Sequence, residues 1–227
     1  MVRYKAAYFR EVPMRNAAKD EIEMAARREA MLREGFRLFA EKGIEPVSMQ
    51  EVADACKLGV ATLYRYYNTK LALVIAIGTR QWADYRDHAR ELWQERDMSM
   101  TAAQDLERYL DFYVDLYQNF PDLLRFNQNF NNYVRHEGVT PEQLRPYLDA
   151  VGALGSFAPA IYEKGRRDGT IRTDVPMEKM FTATSHIMLA VAVRYAQGLL
   201  FSAKDEADRT EEFELLKRAL LREYVLS

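Results

Sequence analysis

The sequence predicts an all-α fold, and three observations carry that reading. Apolar residues recur at the three- and four-residue spacing of a helix face along nearly the whole chain. No useful length alternates apolar and polar as a half-buried strand would. The breaks between apolar stripes hold helix stops and starts, notably Gly43, Ser48, Thr69 and Pro121. With 227 residues and 48 % hydrophobic side chains, the chain can bury a real core as one large domain or two small ones.

The first helix is predicted over Glu21–Glu41, where Ile22, Ala25, Met31, Leu32, Phe36 and Phe39 share a stripe, and Gly43 stops it. Ser48 opens a short second helix to about Cys56; "SMQE" is a capping box, with Glu51 three residues after the serine. A break at "KLG" precedes a third helix over Val60–Tyr67, with Gly59 in the N-cap position. Thr69 caps a fourth, which runs from Lys70 through Trp82 towards Trp93.

Two short helices joined by a three-residue break with a glycine form a helix-turn-helix. Val52, Ala53 and Leu63 are spaced to pack the pair onto Phe36 and Phe39, and the smallness of Ala53 permits a close approach. The charge is placed to match. Residues 1–70 carry 13 Lys and Arg against 10 Asp and Glu, although the whole chain is at −2. From Ala55 through Ala83 there is no acid, only Lys57, Arg65, Lys70 and Arg80. A locally positive surface on an acidic protein is what a polyanion binder needs. In "GVATLYRYYNTK", Tyr64, Tyr66 and Lys70 are spaced to reach phosphate oxygens beside a groove, where a carboxylate would be repelled. Tyr67, nearest the next helix, reads instead as a packing residue with its hydroxyl outside.

"SMQEVADACKLGVATLYRYYNTKLAL", with the preceding "REGFRLFAEKGIEPVS", resembles the DNA-binding signature of the TetR family of bacterial transcriptional repressors. The resemblance covers about residues 24–80. It implies contacts to a double-stranded DNA operator from Ser48, Gln50, Val60, Ala61, Thr62, Tyr64, Arg65, Tyr66 and Lys70. Gln50 could read adenine and Arg65 guanine or phosphate, while Val60 and Ala61 offer only apolar contact, which leaves much of the specificity to DNA shape. The family's turn has Gly, an aliphatic residue and Ser or Thr; here Lys57, Leu58 and Gly59 stand there, so Lys57 is expected in a left-handed conformation.

Beyond residue 95 the helices are Thr101–Phe120, one from Pro121 through Tyr133, a long one from about Glu142 to Arg167, Met177–Phe201, and about Asp205–Val225. Pro146 and Pro159 lie inside the long one, and a kink is expected at Pro159. Small residues line that helix at Gly155 and Ala158 and the next at Ala183 and Ala190. In the resembled family two such helices build a homodimer bundle; packing within one protomer is the alternative. Tyr109, Tyr113 and Tyr117 form a stripe beside an Asn-rich helix with Phe126, Asn127 and Phe130, and His186 stands on a later helix. An aromatic stripe alone is core. So many hydroxyls and amides beside it also fit an effector pocket lined by Tyr113, Tyr117, Phe126, Asn127, Phe130 and His186.

Other classes lack their chemistry. There is no Gly-rich phosphate loop, HExxH or nucleophile elbow, so no enzyme, cofactor or catalytic residue is expected. Three scattered histidines and one cysteine, Cys56, suggest no metal site. The longest apolar runs, "LALVIAI" and "IMLAVAV", are far too short to span a membrane, and with no secretory signal the expected location is the cytoplasm. The expected organisation is a basic N-terminal extension (1–20), a three-helix helix-turn-helix domain (21–70), a connecting helix (71–95) and a larger helical ligand-binding and dimerisation domain (96–227). The expected function is a homodimeric regulator, a repressor released by a small, largely apolar or aromatic effector. The alternative is a helical ligand-binding or scaffold protein without specific DNA binding.

Overall fold

The computed structural model describes residues 17–97, 99–198 and 206–226. They form ten α-helices and no strand: α1 (Ala17–Lys42), α2 (Met49–Ala55), α3 (Val60–Tyr66), α4 (Lys70–Gln94), α5 (Ala102–Asn119), α6 (Pro121–His136), α7 (Pro141–Gly152), α8 (Ala158–Asp168), α9 (Met177–Ala196) and α10 (Glu206–Tyr224). Most of the expected basic extension lies outside the described residues, and its last four, 17–20, belong to the first turn of α1.

Local chemistry sets the N-terminal bounds. Gly43, at φ +86°, takes the left-handed conformation that ends α1, and its N–H donates to the Phe39 carbonyl. Ser48 Oγ accepts from the Glu51 N–H at 3.1 Å while Glu51 Oε2 accepts from the Ser48 N–H at 2.8 Å, so both halves of the capping box are made. Lys57 sits at φ 56°, as the turn departing from the family pattern led one to expect. Thr69 Oγ1 accepts from the Ala72 N–H and starts α4.

Packing joins this end to the rest. Val52, Ala53 and Leu63 are fully buried beneath α1. Helix α4 packs closely on α7: a Cβ on Gly78 would lie 2.9 Å from Tyr147 Cδ2, so glycine admits that ring. Tyr147 stacks on Phe130 at 4.0 Å between centroids, donates to Asn127 Oδ1 at 2.5 Å, and accepts from Trp82 Nε1 at 3.3 Å. Its side chain thus bonds α4, α6 and α7 to one another. At the far end, an isolated antiparallel bridge pairs Ile171 with Val225 and ties the α8–α9 connection to the end of α10.

Two expectations are corrected. The helix drawn from Glu142 to Arg167 is two helices, separated by a 3₁₀ turn at Ala153–Phe157. Pro159 lies in the first turn of α8, where its missing N–H costs no bond, and Pro146 is accommodated inside α7. The helix from Met177 ends at Ala196, because Gly198 turns left-handed at φ +85°; Leu199–Phe201 lie outside the described residues.

Candidate nucleic-acid interface and core cavity

The residues expected at DNA gather on α2, α3 and the start of α4. Ser48 and Gln50 are exposed at the front of α2, Ala61 and Arg65 are exposed on α3, and Tyr64 is the most outward of the tyrosines, 48 % exposed. Thr62 is half-buried and accepts from Arg65 Nη2 at 3.2 Å. Val60 and Tyr66 pack partly against the core, and the Arg28 guanidinium lies 5.9 Å from the Tyr66 ring centre. Tyr67 is half-buried, as its packing role required, and burial pushes its phenol up.

Several of these side chains already hold partners. Gln50 Nε2 donates to Asp54 Oδ1 at 2.7 Å, which leaves its second N–H and its carbonyl for another partner. The Ser48 hydroxyl is engaged by Glu51. Lys70 Nζ donates to the Glu45 carbonyl at 3.0 Å and lies 5.6 Å from the Tyr133 ring centre. Burial pulls the Lys70 ammonium below its ordinary range, against the opposing pull of Glu137, Glu45 and Glu51. Its ammonium has three donors, so one carbonyl leaves capacity for another acceptor.

The residues expected at an effector do not converge. Phe126 and Phe130 are fully buried in the packing around Tyr147, and Asn127 is spent on that tyrosine. Tyr117 packs against Tyr195 and Phe213, on the α10 side. Tyr113 and His186 line a cavity of about 530 Å³ between α4, α5, α7, the 3₁₀ turn, α8 and α9. Its other walls include Trp82, Tyr109, Phe181, Ser185 and Met177, which sequence reasoning did not assign. Tyr109 had been visible in the tyrosine stripe; the others carry no local signal.

Polar chemistry in this cavity is concentrated in one cluster. Tyr113 donates to Ser185 Oγ at 2.7 Å, and the Tyr109 hydroxyl lies 2.9 Å from Ser185 Oγ and 3.0 Å from the Tyr113 hydroxyl. Burial pushes the Tyr113 phenol well up, and the neighbouring Tyr109 adds to this. The cavity therefore offers neutral hydroxyls in an aromatic wall, with Glu178 as its one carboxylate. A second hollow of about 610 Å³ lies between α6 and α9, where Asn127, Asn131, His186 and Ala190 meet.

The residues expected at a dimer contact also divide. Ala183 and Ala190 are exposed on α9, alongside Ile187, and Gly155 is exposed on the 3₁₀ turn. Ala158 is buried and faces the cavity, so it cannot meet a partner.

A short acid-free helix on a capped partner, beneath a long helix that enters a second helical layer, is a recurrent architecture. Residues 31–77 match the model of the bacterial regulatory proteins, tetR family. By this match the N-terminal part of the chain carries the DNA-binding domain of the TetR family. The protein is a DNA-binding transcriptional regulator with the all-α fold of that family, and the family is not one of enzymes. Solved structures share the fold over most of the chain. A TetR family transcription regulator from Marinobacter aquaeolei VT8 is 21 % identical, with 91 % of this chain and 100 % of that one covered and a TM-score of 0.62. The fatty acid degradation regulator FadR from Bacillus halodurans is 13 % identical, with 86 % and 94 % covered and a TM-score of 0.67. A protein from Saccharomonospora viridis, solved in complex with choline, is 17 % identical, with 89 % and 100 % covered and a TM-score of 0.70. No curated protein matches the chain. No described helix is long and apolar enough to cross a membrane.

Proposed function

We propose that the protein is a homodimeric repressor that leaves its operator when a small molecule enters the cavity walled by Tyr109, Tyr113 and Trp82. The observation that carries this reading is the path of α4. Its first turn, capped by Thr69, follows the recognition helix α3, and twelve residues on Trp82 stands in the cavity wall. At 1.5 Å per residue, the two points lie about 18 Å apart on one rigid element. A ligand that moves Trp82 then moves the α3 of each protomer, and the spacing of the two recognition helices changes.

On the DNA side, α3 enters the major groove of a near-palindromic site. Gln50 and Arg65 meet base edges, Val60, Ala61 and Thr62 make close contact, and Ser48, Tyr64, Tyr66 and Lys70 hold the backbone. On the dimer side, the outer faces of α9 and α10 fit the contact better than the turn at Gly155. Ala183, Ile187 and Ala190 of α9, and Leu215 of α10, leave apolar surface uncovered in one protomer. The cavity's neutral hydroxyls and aromatic walls favour a largely apolar or aromatic effector with a hydrogen-bonding group. The choline bound by the relative from Saccharomonospora viridis supports a ligand-binding role for the fold and belongs in the screen.

The test is a thermal-shift screen of small aromatics, sterols, acyl compounds and choline, followed by operator release for each hit. A true effector weakens operator binding several-fold to about a hundredfold, the usual 1–3 kcal/mol of coupling. Hits that stabilise the protein and never alter operator affinity would leave an unregulated DNA-binding protein. Ala190→Arg places a charge in the proposed contact and is expected to give monomers with little operator affinity. A dimer that survives it in light scattering moves the interface elsewhere.

A further inference from the structure

The acid-free run from Ala55 to Ala83 extends well past the residues that face DNA. Its second half has a different surface to serve. An open groove of about 840 Å³ lies between α1, α4 and α7, outside the core cavity. Its floor is the apolar face of α4 at Leu71, Ile75 and Ala76, with Leu32 of α1 opposite. No carboxylate lines it.

The polar groups at its DNA-proximal end are donors without partners. The Arg28 guanidinium makes no ion pair among the described residues and lies 5.9 Å from the centre of the Tyr66 ring. The Tyr67 hydroxyl and the Asn68 amide form no hydrogen bond there either, and Arg28 acts on the Tyr67 phenol electrostatically, more strongly than the opposing Glu29. Thr79, by contrast, has spent its O–H on the Ile75 carbonyl, while Thr69 Oγ1 accepts from the Ala72 N–H and keeps its O–H as a donor. Arg80 is neutralised by Asp84 at 2.8 Å and Glu29 at 3.2 Å. One end of the groove therefore has a free cation and free donors, and the rest is apolar. A volume of this size suits a small organic ligand.

We propose that this groove is a second ligand site, separate from the core cavity, which takes an amphiphilic carboxylate. The carboxylate meets Arg28, with Tyr67 and Asn68 as further donors, and the apolar body lies along Leu71, Ile75 and Ala76. An unpaired arginine is the group that planar carboxylates satisfy best. The site touches the α3–α4 link itself, so it does not need α4 to carry a signal from the core.

The test uses the whole protein and a dansyl-labelled undecanoate, read by dansyl fluorescence, with its methyl ester as the uncharged control. The carboxylate is expected to bind, and the ester about tenfold more weakly, the scale of one charge-assisted hydrogen bond. Arg28→Gln, an exposed change, should weaken the carboxylate about tenfold and leave the ester where it was. Ala76→Trp fills the floor and should abolish binding of both. Thr182→Trp, at the mouth of the core cavity, should change neither. No binding by the wild type, equal affinity for acid and ester, an unchanged affinity in Arg28→Gln, or a loss in Thr182→Trp would each overturn the proposal.

Discussion

Tyr64 and Tyr113 are the same side chain at two ends of the molecule, with opposite surroundings. Tyr64 stands 48 % exposed on α3, in a stretch with no acid nearby in sequence. Tyr113 is 4 % exposed on α5 and spends its hydroxyl on Ser185, a residue 72 positions away. One is held by its own helix and left open to a partner. The other is held by the fold, and its polar end is satisfied inside. The comparison separates function written in a local segment from function assembled by packing.

The sharpest break of that contrast is a pair of truncations. Tyr109→Ala removes a ring that is 1 % exposed and opens a void beside Phe181 and Tyr113. It should cost about 3–5 kcal/mol in a denaturant melt, as large-to-small changes of buried aromatics do. Tyr64→Ala should cost within about 0.5 kcal/mol, as exposed changes do, yet weaken operator binding. Equal losses of stability would erase the distinction.

Alkaline titration probes the same difference without mutation. Burial pushes the phenols of Tyr85 and Tyr113 well up, and burial with the Glu212 hydrogen bond pushes Tyr195 up to about 12. In the unfolded chain these groups ionise near pH 10, and in the folded chain they do not. The unfolded state thus binds fewer protons above that pH, and stability falls as pH rises through it. The slope is about 1.4 kcal/mol per pH unit for each phenol kept neutral. Phenolate absorbance should rise in two stages, the second coinciding with loss of helical circular dichroism. A single early stage with the helices intact would mean that the Tyr85 and Tyr113 hydroxyls are open to water.

The two ends also differ in what the sequence made legible. The caps at Ser48 and Thr69, the stop at Gly43 and the strained turn at Lys57 depend on neighbours within a few residues, so they were readable. The break between α7 and α8 was not. From the sequence Pro159 reads as the disturbance, although it sits in the first turn of α8, where proline is accommodated. The cavity was least legible of all. Periodicity marks Tyr113, Tyr117, Phe126 and Phe130 as apolar faces, but which helix covers each face is decided by packing. Gly78 and Tyr147 fix the α4–α7 approach, and that approach spends Phe126, Asn127 and Phe130 on the core. Trp82, Phe181 and Ser185 reach the cavity from helices far apart in sequence, and nothing local announces them.

A milder test compares two capping boxes. Thr101 and Gln104 cap α5 as Ser48 and Glu51 cap α2. Ser48→Ala and Thr101→Ala should each cost about 1 kcal/mol in thermal unfolding. Only Ser48→Ala should also weaken operator binding, because α2 has seven residues and supports α3 directly. If Thr101→Ala reduces operator affinity as much, the regulatory half is more tightly coupled to α3 than α4 alone would make it.

The smallest expected effect is at Lys57. Its φ of 56° is a conformation that costs an L-residue about 1–2 kcal/mol. Glycine relieves that strain but loses more backbone entropy on folding, about 0.5–1 kcal/mol. Lys57→Gly should therefore stabilise the protein by less than about 1 kcal/mol. The same change removes a cation from the turn between α2 and α3, within the acid-free run. If Lys57 is only strained, stability rises and operator affinity stays as it was. If its ammonium also meets a phosphate, the salt dependence of operator binding flattens by about 0.9 in the log–log slope while the protein becomes more stable. A fall in stability would show that the lysine side chain, through contacts of its own, offsets more strain than its backbone stores.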